Sequence, residues 1–101
     1  LGGARMRVNL REDIRDGIIS LAQEYHIARV ILFGSRARGD NWERSDIDLA
    51  VSGGDIIRFS LDIDERIPTL LMFDIVNLDG PVEPELRASI EKEGVLLYEE
   101  V

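Results

Sequence analysis

Residues 28–33, ARVILF, are a short apolar run rich in β-formers. Such a run reads as a buried strand, which needs neighbouring strands and a covering layer. It stops abruptly at Gly34-Ser35. Three more short runs can supply the sheet: DIDLAV at 46–51, closed by Gly53-Gly54; LMFDIVNL at 71–78, ended by Asp79-Gly80-Pro81; and VLLYE at 95–99. Between them the period changes from two to 3.6. Leu10, Ile14, Ile18, Leu21, Ala22 and Tyr25 predict an amphipathic helix over 10–26, with Asn9 and Glu12 resembling a capping box. Ile56, Phe59, Ile63 and Ile67 lie on one stripe of a second helix over 55–67, which Pro68 ends. A third helix runs from Glu83 to Glu93, with Leu86 and Ile90 inward and Gly94 as its stop. Residues 39–45, GDNWERS, read as a loop. The order α-β-turn-β-α-β-α-β predicts an α/β (α+β) fold, one sheet with helices packed against it.

A chain of 101 residues suits one domain, and no internal repeat or linker divides it. Residues 1–5, LGGAR, carry no pattern and read as a cloning remnant or misplaced start ahead of Met6, so the domain is expected over 6–101. With no cysteine, disulfides and thiolate metal sites are excluded and a cytoplasmic location is the expectation. The single histidine, His26, excludes a multi-histidine zinc site within one chain; it reads as a capping or surface residue. No apolar run approaches the roughly 20 residues of a membrane span, and no signal peptide is evident. The net charge of −8 opposes direct nucleic-acid binding. It suits divalent cations or a basic protein partner, and equally simple solubility.

The triplet Asp-Ile-Asp occurs twice, at 46–48 and at 62–64. Backbone period separates the copies. On a strand, i and i+2 share a face, so Asp46 and Asp48 converge, and two like charges there call for a hard cation with oxygen ligands. On a helix, i and i+2 diverge by about 200°, so Asp62 and Asp64 read as solvated surface. Asp74 interrupts an otherwise apolar strand, where a buried carboxylate is costly unless paired or metal-bound, and so becomes a candidate third ligand. Gly34 allows close approach of a ligand to the backbone. With Ser35 at a helix start, and with Arg36 and Arg38 to supply charge, it forms a candidate phosphate cradle. Trp42, in the loop between turn and carboxylates, suits stacking on a base, contact with a partner, or anchoring of the loop. Tyr25 reads as core.

GSRARGDNWERSDID contains Gly-Ser, ten residues, then Asp-x-Asp. This resembles the signature of the nucleotidyltransferase superfamily that includes DNA polymerase beta. ILFGSRARGDNWERSDIDLAV is most similar to its small branch, the minimal nucleotidyltransferases often paired with HEPN-domain proteins. The resemblance implies the nucleotidyltransferase fold, with a mixed sheet of about four strands. It implies that Asp46 and Asp48 hold two Mg²⁺ ions, that Asp74 binds the catalytic one, and that Gly34 and Ser35 grip the phosphates of a nucleoside triphosphate. It further implies an antitoxin that transfers AMP from ATP to a tyrosine of a HEPN ribonuclease toxin. The acceptor would come from another chain, either a partner or a second copy in a homo-oligomer. Two other readings remain: transfer to a small molecule such as an aminoglycoside, and neutralisation of a partner by contact alone.

Overall fold

The structure, a computed structural model, describes residues 10–100. The proposed remnant at 1–5 and the capping residue Asn9 lie outside the described residues. The elements follow the expected order: α1 (Glu12–Glu24), β1 (Arg29–Phe33), α2 (Ser35–Arg38), β2 (Ile47–Ser52), α3 (Ile56–Arg66), β3 (Phe73–Asn77), α4 (Pro84–Glu93) and β4 (Val95–Glu99). The four strands form one mixed sheet in the order β3-β2-β1-β4. β1 pairs antiparallel with both β2 and β4, while β2 and β3, joined through α3, run parallel.

The two faces of this sheet differ. Val30, Leu32, Ile47, Leu49 and Val51 are fully buried on the first face. They pack against Ile14, Ile18, Leu21 and Ala22 of α1 and against Ile56, Phe59 and Ile63 of α3. These are the apolar stripes that helical spacing predicts, and their burial is the main stabilising term. Leu10 and Tyr25 pack at the margins of this core. The second face carries Ile31, Ala50, Asp48, Asp74 and Leu96, and α4 covers only part of it. Leu96 remains 50% exposed. A groove of about 350 Å³ lies between α4 and this face, with Ile31, Ile90 and Leu96 in its lining.

Local chemistry sets the helix ends. At the C-terminus of α1, Ile27 N–H donates to the Ala22 carbonyl at 2.9 Å and His26 N–H to that of Gln23 at 3.3 Å, with His26 in the left-handed region (φ 56°). This is a Schellman-type stop. His26 therefore both ends the helix and lies on the surface, with Nδ1 3.7 Å from Glu100. The Asp55 side chain caps α3 by accepting from Arg58 N–H at 3.2 Å. Pro84 opens α4 at the position where its missing N–H costs nothing. The second Asp-Ile-Asp lies on α3 as expected, with Ile63 buried and Asp64 exposed. Asp62 does more than face water: it accepts the Tyr25 hydroxyl proton, and Arg66 beside it makes a two-pronged bond to Glu24, both at 2.8 Å. These contacts tie α1 to α3. Among the described residues, no helix is long and apolar enough to cross a membrane.

Three expectations are corrected. The strand at 71–78 shortens to 73–77, and it is an edge strand in which no residue is fully buried. Asp74 is therefore exposed and does not carry the burial penalty that its apolar neighbours suggest. Leu86, expected inward on α4, is 36% exposed, because that helix buries only Ile90 completely.

Gly94 joins α4 to β4 without a left-handed turn (φ −68°). Its role is steric: a Cβ there would sit 2.5 Å from Ile31 Cγ2 and nearer still to the Ile90 carbonyl oxygen. Gly94→Ala is accordingly expected to lower the unfolding free energy by about 1–3 kcal/mol. Urea denaturation measures this, and an unchanged midpoint would show that α4 is not seated as described.

Candidate functional site

The sheet register builds the site at the end of the second face where β1 finishes and β2 and β3 begin. Asp48 lies opposite Phe33 on β1 and opposite Asp74 on β3. Side chains of directly paired residues share a face, and adjacent strands are roughly 4.8 Å apart. Phe33, Asp48 and Asp74 therefore form one row across the sheet. Asp46 stands two residues earlier, just ahead of β2, and is exposed. Asp48 is half-buried.

The electrostatics agree with this placement. Burial pushes the Asp48 carboxyl above its ordinary value, first by desolvation, then through the charges of Asp74 and Asp46; Arg38 and Arg36 pull in the other direction. Both neighbouring carboxylates thus act on Asp48. Such a donor set of hard oxygens fits a small divalent cation, which would relieve the repulsion. As the side chains stand, no three carboxylate or imidazole groups among the described residues form a ready-made metal cluster.

Against this row lies the glycine turn. Gly34 has φ 75°, a region that disfavours a Cβ, and a Cβ built there would collide with Asp48 Oδ2. Two constraints, backbone and steric, thus require glycine between β1 and α2. The Gly34 carbonyl accepts from Ala37 and Arg38 N–H, both at 3.1 Å, to start the single turn of α2. Gly39 (φ 85°) stops it, donating to the Ser35 carbonyl at 2.8 Å. Ser35 is half-buried beside the row, and Arg38 is exposed and bonds Asp40 at 3.1 Å and Glu93 of α4 at 3.3 Å.

Arg36 differs from the expected phosphate contact in one respect: it is only 5% exposed. Its Nε and Nη2 donate to the Ser45 carbonyl at 3.1 and 2.9 Å, and Nη2 also to that of Glu43 at 3.1 Å. The loop before Asp46 is thereby held from within. Trp42 does not anchor that loop, since it is 72% exposed. Its backbone exchanges bonds with Ser45, accepting from Ser45 N–H at 3.0 Å and donating to Ser45 Oγ at 3.1 Å. Spacing in the sequence does not reveal Glu93 as a neighbour of the site, because its contact with Arg38 is tertiary, nor that Ser45 offers its carbonyl to Arg36.

Asp48 supplies a test of this electrostatic account. A carboxyl whose folded pKa is raised above its unfolded value contributes stability that is fully present below the unfolded pKa. That stability is lost as pH rises through the folded pKa. At neutral pH in metal-free buffer, the Asp48 charge therefore costs stability. Asp48→Asn is expected to raise Tm by roughly 2–5 °C. The gain should shrink as pH falls, and vanish below the ordinary aspartate value of 3.8, where both side chains are neutral. Thermal melts across pH check this, and a variant less stable than the parent at pH 7 would contradict it.

The family described as "Polymerase beta, Nucleotidyltransferase" matches residues 16–101. The "Putative protein adenylyltransferase" of Methanocaldococcus jannaschii is 36% identical over 103 residues, spanning 90% of this chain and all of the relative. Among solved structures, a "putative minimal nucleotidyltransferase" superposes with a TM-score of 0.62 at 32% identity, covering 80% of this chain and 86% of the other. A "toxin-antitoxin with AMP-PNP" superposes with a TM-score of 0.69 at 23% identity, over 85% of this chain and 73% of that one, and shares the fold. With its Gly-Ser turn and carboxylate row placed as described, the chain belongs to the polymerase beta nucleotidyltransferase family.

Proposed function

We propose that the chain is a magnesium-dependent nucleotidyltransferase that moves AMP from ATP onto a tyrosine hydroxyl of a HEPN-domain ribonuclease, and acts as the antitoxin of that toxin. The observation that carries this reading is the in-register pair Asp48–Asp74 on an open sheet face, with a glycine-only turn packed against Asp48. The 36%-identical relative, named for protein adenylylation, supports a protein acceptor. The shared fold of a toxin–antitoxin structure carrying AMP-PNP is consistent with both the nucleotide and the partner.

Asp46, Asp48 and Asp74 are the residues that would hold the two Mg²⁺ ions. When bound, Mg²⁺ lowers the pKa of an attacking hydroxyl and offsets the charge of the triphosphate and the departing pyrophosphate. The remaining work falls to the chain. The backbone at Gly34 and the Ser35 hydroxyl hold the β- and γ-phosphates, and exposed Arg38 supplies positive charge beside them. Arg36 contributes its charge from behind the loop. Asp74, exposed at the edge of the sheet, takes the proton of the acceptor hydroxyl. The hydroxyl oxygen bonds to the α-phosphorus, the bond from that phosphorus to the bridging oxygen breaks, and pyrophosphate leaves. Because α4 leaves much of the second face open, an acceptor on another chain can reach the row.

Incubation with ATP, Mg²⁺ and a HEPN-domain protein from the same genome should add one or more AMP units to that protein, read by intact mass. Asp46→Asn or Asp74→Asn should reduce the rate at least about 100-fold, since even outer-shell partners of metals cost 10- to 100-fold. No adduct with either Mg²⁺ or Mn²⁺ contradicts the proposal. Full neutralisation of the toxin by Asp46→Asn would instead mean that contact alone suffices.

A further inference from the structure

Burying a guanidinium is costly unless its donors are met, and Arg36 is buried in a helix of a single turn. Where its donors go is informative. Two of its three described bonds end on the carbonyl of Ser45 and the third on that of Glu43. The Ser45 carbonyl belongs to the same rigid peptide plane as the Asp46 nitrogen. On the other side of Asp46, Ile47 N–H donates to the Met72 carbonyl at 2.9 Å, the first bond joining β2 to the segment before β3. Both peptide planes that flank Asp46 are therefore fixed, one by the Arg36 side chain and one by the sheet. The Asp46 side chain itself is exposed, so these backbone bonds are what set its direction.

We propose that Arg36 is a positioning residue, which holds the 43–45 loop so that Asp46 is aimed at the cation shared with Asp48 and Asp74. This rests on the reading that those carboxylates bind a divalent ion. A ligand set must be held within about 0.5 Å of its working geometry, and a loop residue achieves that only with support. Arginine suits the task because its planar fork spans two carbonyls; the lysine ammonium is a point charge on a flexible stem. The positive charge also stands near Asp48, whose ionisation it favours.

The chain has one tryptophan, Trp42, and it lies in the same loop, so its emission reports on the loop directly. The test compares the parent, Arg36→Lys, Arg36→Met and Asp46→Asn by Mn²⁺ titration, with Trp42 anisotropy and Tm measured in parallel. Both Arg36 variants should bind Mn²⁺ about 10- to 100-fold more weakly, the usual cost of losing a bond that orients a metal ligand. Trp42 anisotropy should fall. Combining Arg36→Met with Asp46→Asn should weaken binding no further than Asp46→Asn alone, since the two residues act through one ligand. Unchanged Mn²⁺ affinity overturns the proposal, whether ATP binding weakens (a phosphate contact) or only Tm drops (a packing residue). If Arg36→Met does not fold, Arg36→Lys, which keeps the charge but not the planar fork, carries the test alone. It should lower Mn²⁺ affinity and Trp42 anisotropy together, and parent-like Mn²⁺ affinity there overturns the proposal. A parent protein that binds no Mn²⁺ would fail the cation reading itself, whereas a parent that binds it with Arg36 variants to match would fail this inference alone.

Discussion

The position of β2 between β1 and β3 is the constraint on which the site depends. Through it, Asp48 is held opposite Asp74 on one side and beside the Phe33–Gly34 turn on the other. One residue of slip in either pairing would turn Asp48 into the core and Leu49 out of it. The hydrophobic pattern forbids that slip, because Ile47, Leu49 and Val51 are fully buried against α1 and α3. The same alternation that builds the core thus aims the carboxylate at the open face. Stability and site geometry are set by one register.

Much of this was legible from residue order. Period and turn residues located the four strands and the three longer helices to within a few positions, whereas the single turn of α2 read as a turn, and the Gly-Ser turn and Asp-x-Asp do meet at one end of the sheet. The two Asp-Ile-Asp triplets were separable by backbone period alone, and Ile63, buried on α3 between Asp62 and Asp64, bears this out. What was not legible is tertiary. An apolar run such as LMFDIVNL does not disclose whether it is central or at an edge, and its edge position is what leaves Asp74 exposed. A side chain's destination is equally hidden. Arg36 and Arg38 are alike in the sequence, yet one is buried against loop carbonyls and the other is exposed beside Asp40 and Glu93.

The chain's economy follows from that division. The first face of the sheet is closed by α1 and α3, and the second, which α4 covers only in part, carries the proposed site. Repulsion of Asp48 by Asp74 and Asp46 is a cost in the unliganded fold. It is tolerated because the core beneath is closely packed and because Arg38 and Arg36 offset part of it. On the proposed function, a bound cation would offset that repulsion, and the open face would leave room for an acceptor carried by another chain.

The central claim is that the first Asp-Ile-Asp, with Asp74, holds the metal ions, and that the second does not. A crystal grown with Mn²⁺ and a non-hydrolysable ATP analogue tests it most directly through anomalous scattering. The account predicts Mn²⁺ at about 2.0–2.2 Å from carboxylate oxygens of Asp46, Asp48 and Asp74, with the phosphates against Gly34 and Ser35. Nucleotide bound elsewhere, or Mn²⁺ at Asp62 and Asp64 with none at the row, would contradict it.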